Sequence, residues 1–385
     1  MKKIIYLSYI DSLELMIGVL KKLNNQTGIL KELGMQVTTS VLFIQGEAPK
    51  ELKYVEFHKI SSPSVFFSPL TRKIYGFLTL WNRMDHFLSK KSFDLILMRY
   101  TLANSMHERF IRKYGKFMIV EHQTKEVPQF NSLRSFSSFV GAQLEKRYGK
   151  RILEEVKGIT GVTPEIIDYE LSRINTFKPH AVISNGVNTG EFPLSRRPFY
   201  DGKKLSLVFV GGKEAPWHGI DRLLKGIALY NKKTTPRISL HLVGNLTRKT
   251  KKLVKNLEIE DRVYFHGTIY EGEIDKIFDL AHIAIGTLAF HRIQMKQACP
   301  LKVREYTARG VPFVIAYDDI DLEDNLPFYL RLPSDNSPID MEKIVRWADN
   351  VLKDKDIPFY MREYALNKMD WRVKMKQLKD FLEAL

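Results

Sequence analysis

The stretch ACPLKVREYTARGVPFV, residues 298–314, places Lys302, Arg304 and Glu305 within the first turns of an amphipathic helix. Pro300 suits the first helical position, Gly310 suits the left-handed residue that ends a helix, and Pro312 bars its resumption. A helix start offers unpaired N–H groups and partial positive charge, so Lys302 beside it makes a good anion site. Glu305 cannot help to bind a phosphate and needs another partner. The alternative is a solvated helix face with ordinary charges.

Other stretches carry chemistry of the same kind. LVFVGGKEAPWHGIDRLLKGI, from residue 207, reads as strand, paired glycines, polar loop and helix, a layout that cradles phosphate. Lys213 and His218 could meet an anion there, with Gly219 opening the helix. At the first strand–helix junction, Val19, Leu23, Leu30 and Leu33 follow helical spacing and Gly34 ends the helix. Gly18 near that helix start is either a turn glycine or a place where backbone approaches a ligand closely. No GxGxxG or GxxxxGK[ST] occurs at this junction, which argues against a dinucleotide oxidoreductase or a P-loop enzyme. MIVEHQTKE puts Glu121 and His122 at the carboxyl end of a strand. A histidine so placed can donate to a substrate hydroxyl or carbonyl, or be satisfied by neighbouring backbone. YDDIDLED contains Asp319-x-Asp321, the type of acidic pair that binds Mg²⁺ or Mn²⁺ with a sugar nucleotide, but it reads as a solvated loop. No metal site is assigned.

The elements that position these residues alternate. KIIYLSY, VTTSVLFI, DLILMRY, KFMIVEH, GITGVT and HAVISNG read as strands in the first half, and LSLVFVGG, ISLHLVG, RVYFHG, HIAIGTL and PFVIAY in the second. Apolar strands separated by helices indicate parallel sheets covered on both faces, and the number is too large for one sheet. The fold class is α/β, with two doubly wound Rossmann-like domains facing a cleft into which the helix starts look. The seam falls in NTGEFPLSRRPFYDGKK, residues 188–204.

The 385 residues carry 44% hydrophobic and 27% charged side chains, the make-up of a folded globular chain rather than a disordered one. Cys299 is the single cysteine, so an internal disulfide and a cysteine-rich metal site are excluded. A net charge of +16 favours an anionic partner. Leu70, Ile74, Phe77, Leu78, Trp81, Met84 and Leu88 share a helical stripe flanked by Arg72, Lys73, Arg83, Lys90 and Lys91. That pattern suits an interfacial membrane helix or one packed on its own sheet.

In order, ISNGVNTGEF, FVGG…WHGIDRLL, HLVG, VYFHGTI, IFDLAHIAIGTL and PLKVREYTARGVPFV resemble the motifs of the GT-B glycosyltransferases, in particular the large retaining family 4. The resemblance implies an acceptor-binding domain over 1–190, a nucleotide-sugar-binding domain over 191–360, and a C-terminal helix over 361–385 packing back on the first. It implies that Glu305 accepts hydrogen bonds from ribose hydroxyls, and that the base lies near Thr268. The diphosphate would meet Leu301, Lys302, Gly18, Lys213, His218 and Gly219. His122 corresponds to the histidine that contacts the donor sugar near the reacting centre. Three positions depart from the pattern, one of them the paired phosphate arginine, which falls on Gly212 or Lys213. The first glutamate of E-x7-E is Gln297, which puts sugar preference in doubt. The phosphate-loop lysine is His218, so diphosphate binding should tighten below about pH 6.5 if that contact is made.

The implied reaction is metal-independent, retaining sugar transfer of the hexosyl type, with a nucleotide diphosphate sugar as co-substrate and no other cofactor. UDP-sugars are favoured over GDP-sugars, and the acceptor is a cell-surface polysaccharide or lipid-linked glycan. The expected location is the cytoplasm, with peripheral contact at an anionic inner membrane surface. An epimerase or a catalytically degenerate scaffold of the same fold is the nearer alternative. Nucleic acid is not expected as a partner, because the basic residues are scattered and no RNP-like, helix-turn-helix or zinc pattern is present.

Overall fold

Runs rich in Val, Ile and Leu become strands buried on both faces. In the computed structural model of the chain the backbone is described for residues 2–60, 69–133, 135–230, 235–269 and 272–385, without the side chains of Leu15 and residues 69–78. These residues divide into two compact units, Met1–Ser184 with Trp371–Leu385, and Asn185–Asp370. The divisions therefore fall at 184/185 and 370/371, where the sequence suggests 190/191 and 360/361.

The first unit begins β1 (Lys3–Ser12), α1 (Ile17–Glu32), β2 (Gln36–Gln45), β3 (Val55–Lys59), α2 (Pro69–Leu88), β4 (Leu95–Arg99) and α3 (Ser105–Tyr114). It continues β5 (Met118–His122), α4 (Glu126–Ser132), α5 (Phe136–Glu155), β6 (Gly158–Gly161), α6 (Pro164–Ser172) and β7 (His180–Val182). Its sheet is parallel with order β3-β2-β1-β4-β5-β6-β7. Strand order reverses between β1 and β4, so their carboxyl ends border the crevice where such sheets take ligands. Leu7, Ile96, Met98, Val120 and Ile159 fill the core, joined by Trp81, Met84 and Leu88 of α2. That half of the basic-flanked stripe is core, not a membrane face. Leu70, Ile74, Phe77, Leu78, Arg72 and Lys73 lie outside the described side chains.

The second unit runs β8 (Lys204–Lys213), α7 (Ile220–Tyr230), β9 (Arg237–Asn245), α8 (Arg248–Asn256), β10 (Val263–Gly267), α9 (Glu273–Phe278) and β11 (Ile283–Ile285). Then come β12 (Gln297–Ala298), α10 (Leu301–Ala308), β13 (Phe313–Ile315), β14 (Asp318–Asp319), β15 (Tyr329–Arg331), α11 (Met341–Val351) and α12 (Ile357–Tyr364). The main sheet is again parallel, with order β10-β9-β8-β11-β13-β15, and β12 pairs separately with β14. Its reversal lies between β8 and β11. Leu207, Phe209, Leu223, Leu240, Leu242, Ile283, Ile285 and Val314 form the core.

The chain then returns to the first unit as α13 (Trp371–Ala384), burying Trp371, Met375, Leu378 and Leu382. Lys22 of α1 lies 6.0 Å from the centre of the Trp371 ring, and Lys2 Nζ donates to Leu382 O at 3.0 Å. Among the described residues, no helix is long and apolar enough to cross a membrane.

Candidate functional site

The carboxyl end of β8 stands at the reversal of the second sheet, and the loop after it folds back over β11. His218 closes a short turn, Pro216–His218, whose carbonyls at Trp217 and His218 accept from Ala289 N and Leu288 N at 3.0 Å each. Gly219 then takes φ +71°, and a Cβ there would stand 2.8 Å from Leu288 Cβ, so this loop closes only on glycine. Arg222 of α7 is buried beneath and donates to Leu288 O, to Pro333 O at 3.0 Å and to Ser337 O at 2.8 Å. The loop over the strand ends is thus held from below.

The start of α10 belongs to the same place. Pro300 is the residue before the helix, with φ −64° and ψ 142°, and Leu301 is the first helical residue, one later than the sequence suggests. Lys302 lays its Nζ over the Phe209 ring, 3.9 Å from the centroid. That nitrogen is buried and has no hydrogen-bond partner among the described residues. Burial pushes the Lys302 ammonium down to about 7. The Phe209 and His218 rings stand 5.4 Å apart. Lysine, imidazole and the helix N-terminus therefore share one end of the sheet, a field that suits an anion.

His218 behaves differently from the sequence expectation. Its Nδ1 accepts from Ala215 N at 3.3 Å, which leaves Nε2 as the donor. Burial, and then the Lys302 charge, hold its pKa well below the usual 6.5. The ring is neutral across the range in which protonation was to sharpen anion binding. Any contact it makes is through a neutral N–H, and the titrating cation is Lys302.

The far side of α10 explains the acidic stretch. Arg304 has no exposed surface and donates to Asp319 at 2.8 Å, to Asp321, and to Asn185 O at 2.9 Å. Asn185 Nδ2 in turn donates to Cys299 O at 2.9 Å. Asp319-x-Asp321 is therefore no solvated loop: Asp319 is buried, and the pair clamps the helix that carries Lys302 and Glu305. Glu305 accepts from Arg309 Nε at 2.8 Å, and Arg309 also pairs with Asp275 at 2.7 Å. Tyr306 Oη donates to Ile285 O and accepts from Val210 N, both at 3.2 Å, bridging the parted ends of β8 and β11.

Lys213 and Thr268 are exposed at the ends of β8 and β10, and Gln297 lies in β12, opposite Asp318.

In the first unit Gly18 is exposed in the first turn of α1, and a Cβ there would meet nothing within 4 Å. His122 ends β5, fully buried and stacked on Tyr100 with ring centres 4.2 Å apart. Its partners are carboxylates rather than backbone. Nδ1 lies 3.1 Å from Glu126 Oε1 and 3.5 Å from Glu170 Oε1, while Nε2 has no partner among the described residues. Arg173 pairs with Glu170 at 2.6 Å and Glu145 at 2.7 Å. Burial raises both Glu126 and Glu170 to about 8 and lowers His122. The ligand atoms of His122, Glu126 and Glu170 lie within 4.8 Å of one another, a grouping that would also suit a cation.

This network predicts a pH effect. A carboxyl whose folded pKa is about 8 binds a proton that the unfolded chain releases above its ordinary value of 4.5. Stability therefore falls as pH rises from about 5 to 8, by up to about 1.4 kcal/mol per pH unit for each proton. Glu126→Gln is expected to flatten that slope and raise the thermal midpoint at pH 8. Equal slopes in thermal unfolding at pH 5 to 8 would disprove the assignment.

Residues 195–325, from before β8 to beyond the acidic clamp, match the family model described as Glycosyl transferases group 1. No curated protein matches the chain in sequence. Among solved structures it resembles sucrose-phosphate synthase from Thermosynechococcus elongatus at 14% identity, over 100% of this chain and 99% of that one, with a TM-score of 0.71. It also resembles a glycosyltransferase from Rickettsia africae ESF-5 at 14% identity, over 99% of this chain and 98% of that one, with a TM-score of 0.66. Anabaena HepE, solved in complex with UDP and glucose, is similar at 14% identity over 100% of both chains, with a TM-score of 0.66. The chain shares the α/β fold of these structures, two Rossmann-like units with parallel sheets, of the GT-B type.

Proposed function

We propose that this chain is a glycosyltransferase that moves a sugar from a nucleoside diphosphate sugar to an acceptor hydroxyl, with retention. The observation that carries the reading is Lys302, a buried ammonium at the start of α10 on the Phe209 ring, with no hydrogen-bond partner among the described residues. It lies within the segment that matches the glycosyltransferase family. The departing diphosphate gathers charge as the sugar leaves. Lys302, the N–H groups at Leu301 and the neutral His218 Nε2–H would stabilise it without rearranging. Lys213, Gly219 and Gly18 are assigned to the same diphosphate. Glu305, steadied by Arg309, offers two coplanar acceptors to the ribose diol, with Thr268 near the base. Gln297 would meet hydroxyls of the transferred sugar, and His122 the reacting face.

A metal is not required in this scheme, since Asp319 and Asp321 are committed to Arg304. UDP is favoured, with support from the UDP held by Anabaena HepE. The acceptor is placed in polysaccharide or lipid-linked glycan synthesis. Gln297 favours a second reading, in which donor is bound but turned over poorly or only epimerised.

Thermal unfolding with UDP, GDP, CDP and ATP, without and with Mg²⁺, tests the site. A ligand at 100 times its Kd should add about 2.7 kcal/mol. The expected outcome is a metal-free gain from one nucleoside diphosphate that Glu305→Ala loses. No gain from any of them would overturn the donor site. A gain without sugar transfer to any acceptor would favour the second reading.

A further inference from the structure

At the tip of the α4–α5 hairpin, Leu133, Phe136, Phe139 and Val140 are 43, 83, 57 and 38% exposed. A contiguous apolar group standing in water marks a contact surface. Its seat is firm. Ser135 and Ser138 cap each other reciprocally at the start of α5, and a Cβ on Gly141 would come 3.2 Å from the Phe130 ring of α4. The helix therefore presents its rings rather than burying them.

The same exposed stripe continues along α5. Ser138, Gly141, Ala142, Glu145 and Gly149 face inward. Phe136, Phe139, Val140, Gln143, Lys146 and Arg147 face outward; the exposed positions carry no acid up to Arg151, and Glu155 in the last turn is the exposed acid of the helix. Lys150 and Arg151 stand 3.7 and 3.6 Å from Glu154 and Glu108, while Lys146 and Arg147 have no ion pair among the described residues. Rings lead and cations follow on one face, the order in which a helix meets the acyl boundary and then the headgroups of a bilayer.

The geometry points to this face of α5 as a docking surface for an anionic phospholipid membrane, with Phe136 and Phe139 inserted and Lys146 and Arg147 on the headgroups. A second copy of the chain fits worse. A twofold contact centred on the rings would leave Lys146 and Arg147 of both copies with no opposing acid, whereas an anionic surface engages rings and cations together. The contact is distinct from α2, whose Trp81, Met84 and Leu88 are core, and it stands or falls independently of the sugar-transfer reading.

Flotation of the full chain with vesicles of phosphatidylcholine, or of phosphatidylcholine with phosphatidylglycerol at 7:3, tests the proposal at about 0.15 M salt. The chain is expected to float with the anionic vesicles and far less with the neutral ones. F136S/F139S should lower partition about 10- to 100-fold, the loss of two inserted rings. K146E/R147E should lower it about 10-fold and reduce its salt dependence. All of these positions are exposed, so thermal midpoints should not move. K251E/K252E on the basic, exposed α8 is the control for simple net charge and should float like the wild type. Partition unchanged in F136S/F139S, or lost equally in K251E/K252E, would overturn the proposal. So would a concentration-dependent dimer that F136S/F139S abolishes, which would assign the patch to self-association.

Discussion

Lys302→Met is expected to weaken nucleoside diphosphate binding about 10- to 100-fold, the worth of one hydrogen bond to a charged group in a water-poor site. The variant keeps the length of the side chain and its packing on Phe209 while removing the charge. The pH dependence is the sharper signature. In the free protein Lys302 loses its proton above about 7, because burial disfavours the ammonium. A bound diphosphate restores the charge, so binding takes up a proton. Affinity should therefore fall as pH rises from about 7.5 to 9, approaching tenfold per unit. The same depressed pKa has an opposite consequence for the unliganded fold. The unfolded lysine keeps its proton to about 10.4, so this group adds stability as pH rises from 7 toward 10. Titration calorimetry at pH 8 in two buffers of different ionisation enthalpy reads the uptake directly. One proton in the wild type and none in Lys302→Met is the expected pair of results. Equal affinity in both proteins would remove Lys302 from the site.

Arg304→Met should be the most damaging single change to the fold of the second unit. It leaves Asp319 buried and Asp321 largely so, without their cation, and breaking one side of such a group costs about 3–5 kcal/mol. Burial already pushes the Asp319 carboxyl up despite the guanidinium beside it. Lowering the pH to about 5 should therefore recover part of the loss by letting Asp319 protonate. Replacing Arg304, Asp319 and Asp321 together with Met, Leu and Leu should recover most of it, since no charge is then stranded. By contrast Arg331→Ala, which breaks an exposed pair with Asp318, should cost less than about 1 kcal/mol. Chemical unfolding of the set checks the ranking. A loss below about 1 kcal/mol in Arg304→Met would mean that the clamp is not what secures α10.

Much of the fold is legible in the residues. Parallel strands are apolar on both faces, so β1, β2, β4, β5, β8, β9 and β13 announce themselves as unbroken runs. Of the four edge strands of the two main sheets, β7 and β10 can also be read from the sequence, but β3 and β15 cannot. VEFHK of β3 and YLR of β15 alternate with polar residues and bury little, which is what an edge position allows. At the site, Lys302 and His218 could be placed at helix starts because Pro300, Gly219 and Gly310 punctuate the chain there. Their electrostatics could not, because the depressed pKa of Lys302 comes from burial, and what buries it includes Phe209, 93 positions away. The acidic stretch failed for the same reason. Asp319 and Asp321 look solvated until α10 turns Arg304 inward upon them. Glu126, four residues after His122, was within reach of a spacing argument and was missed, whereas Glu170 arrives only through β6 and α6.

The passage of α13 back into the first unit sets an order for biosynthesis. Residues 185–370 form one uninterrupted unit and can close as soon as they have left the ribosome. The earlier residues cannot finish, because Trp371, Met375, Leu378 and Leu382 complete a core that begins at Lys3. The first half emerged is therefore the last half sealed, and its α1 surface waits through the synthesis of the whole second unit. At about 5–20 residues per second that interval lasts roughly 10–40 s, long enough for chaperones to find it.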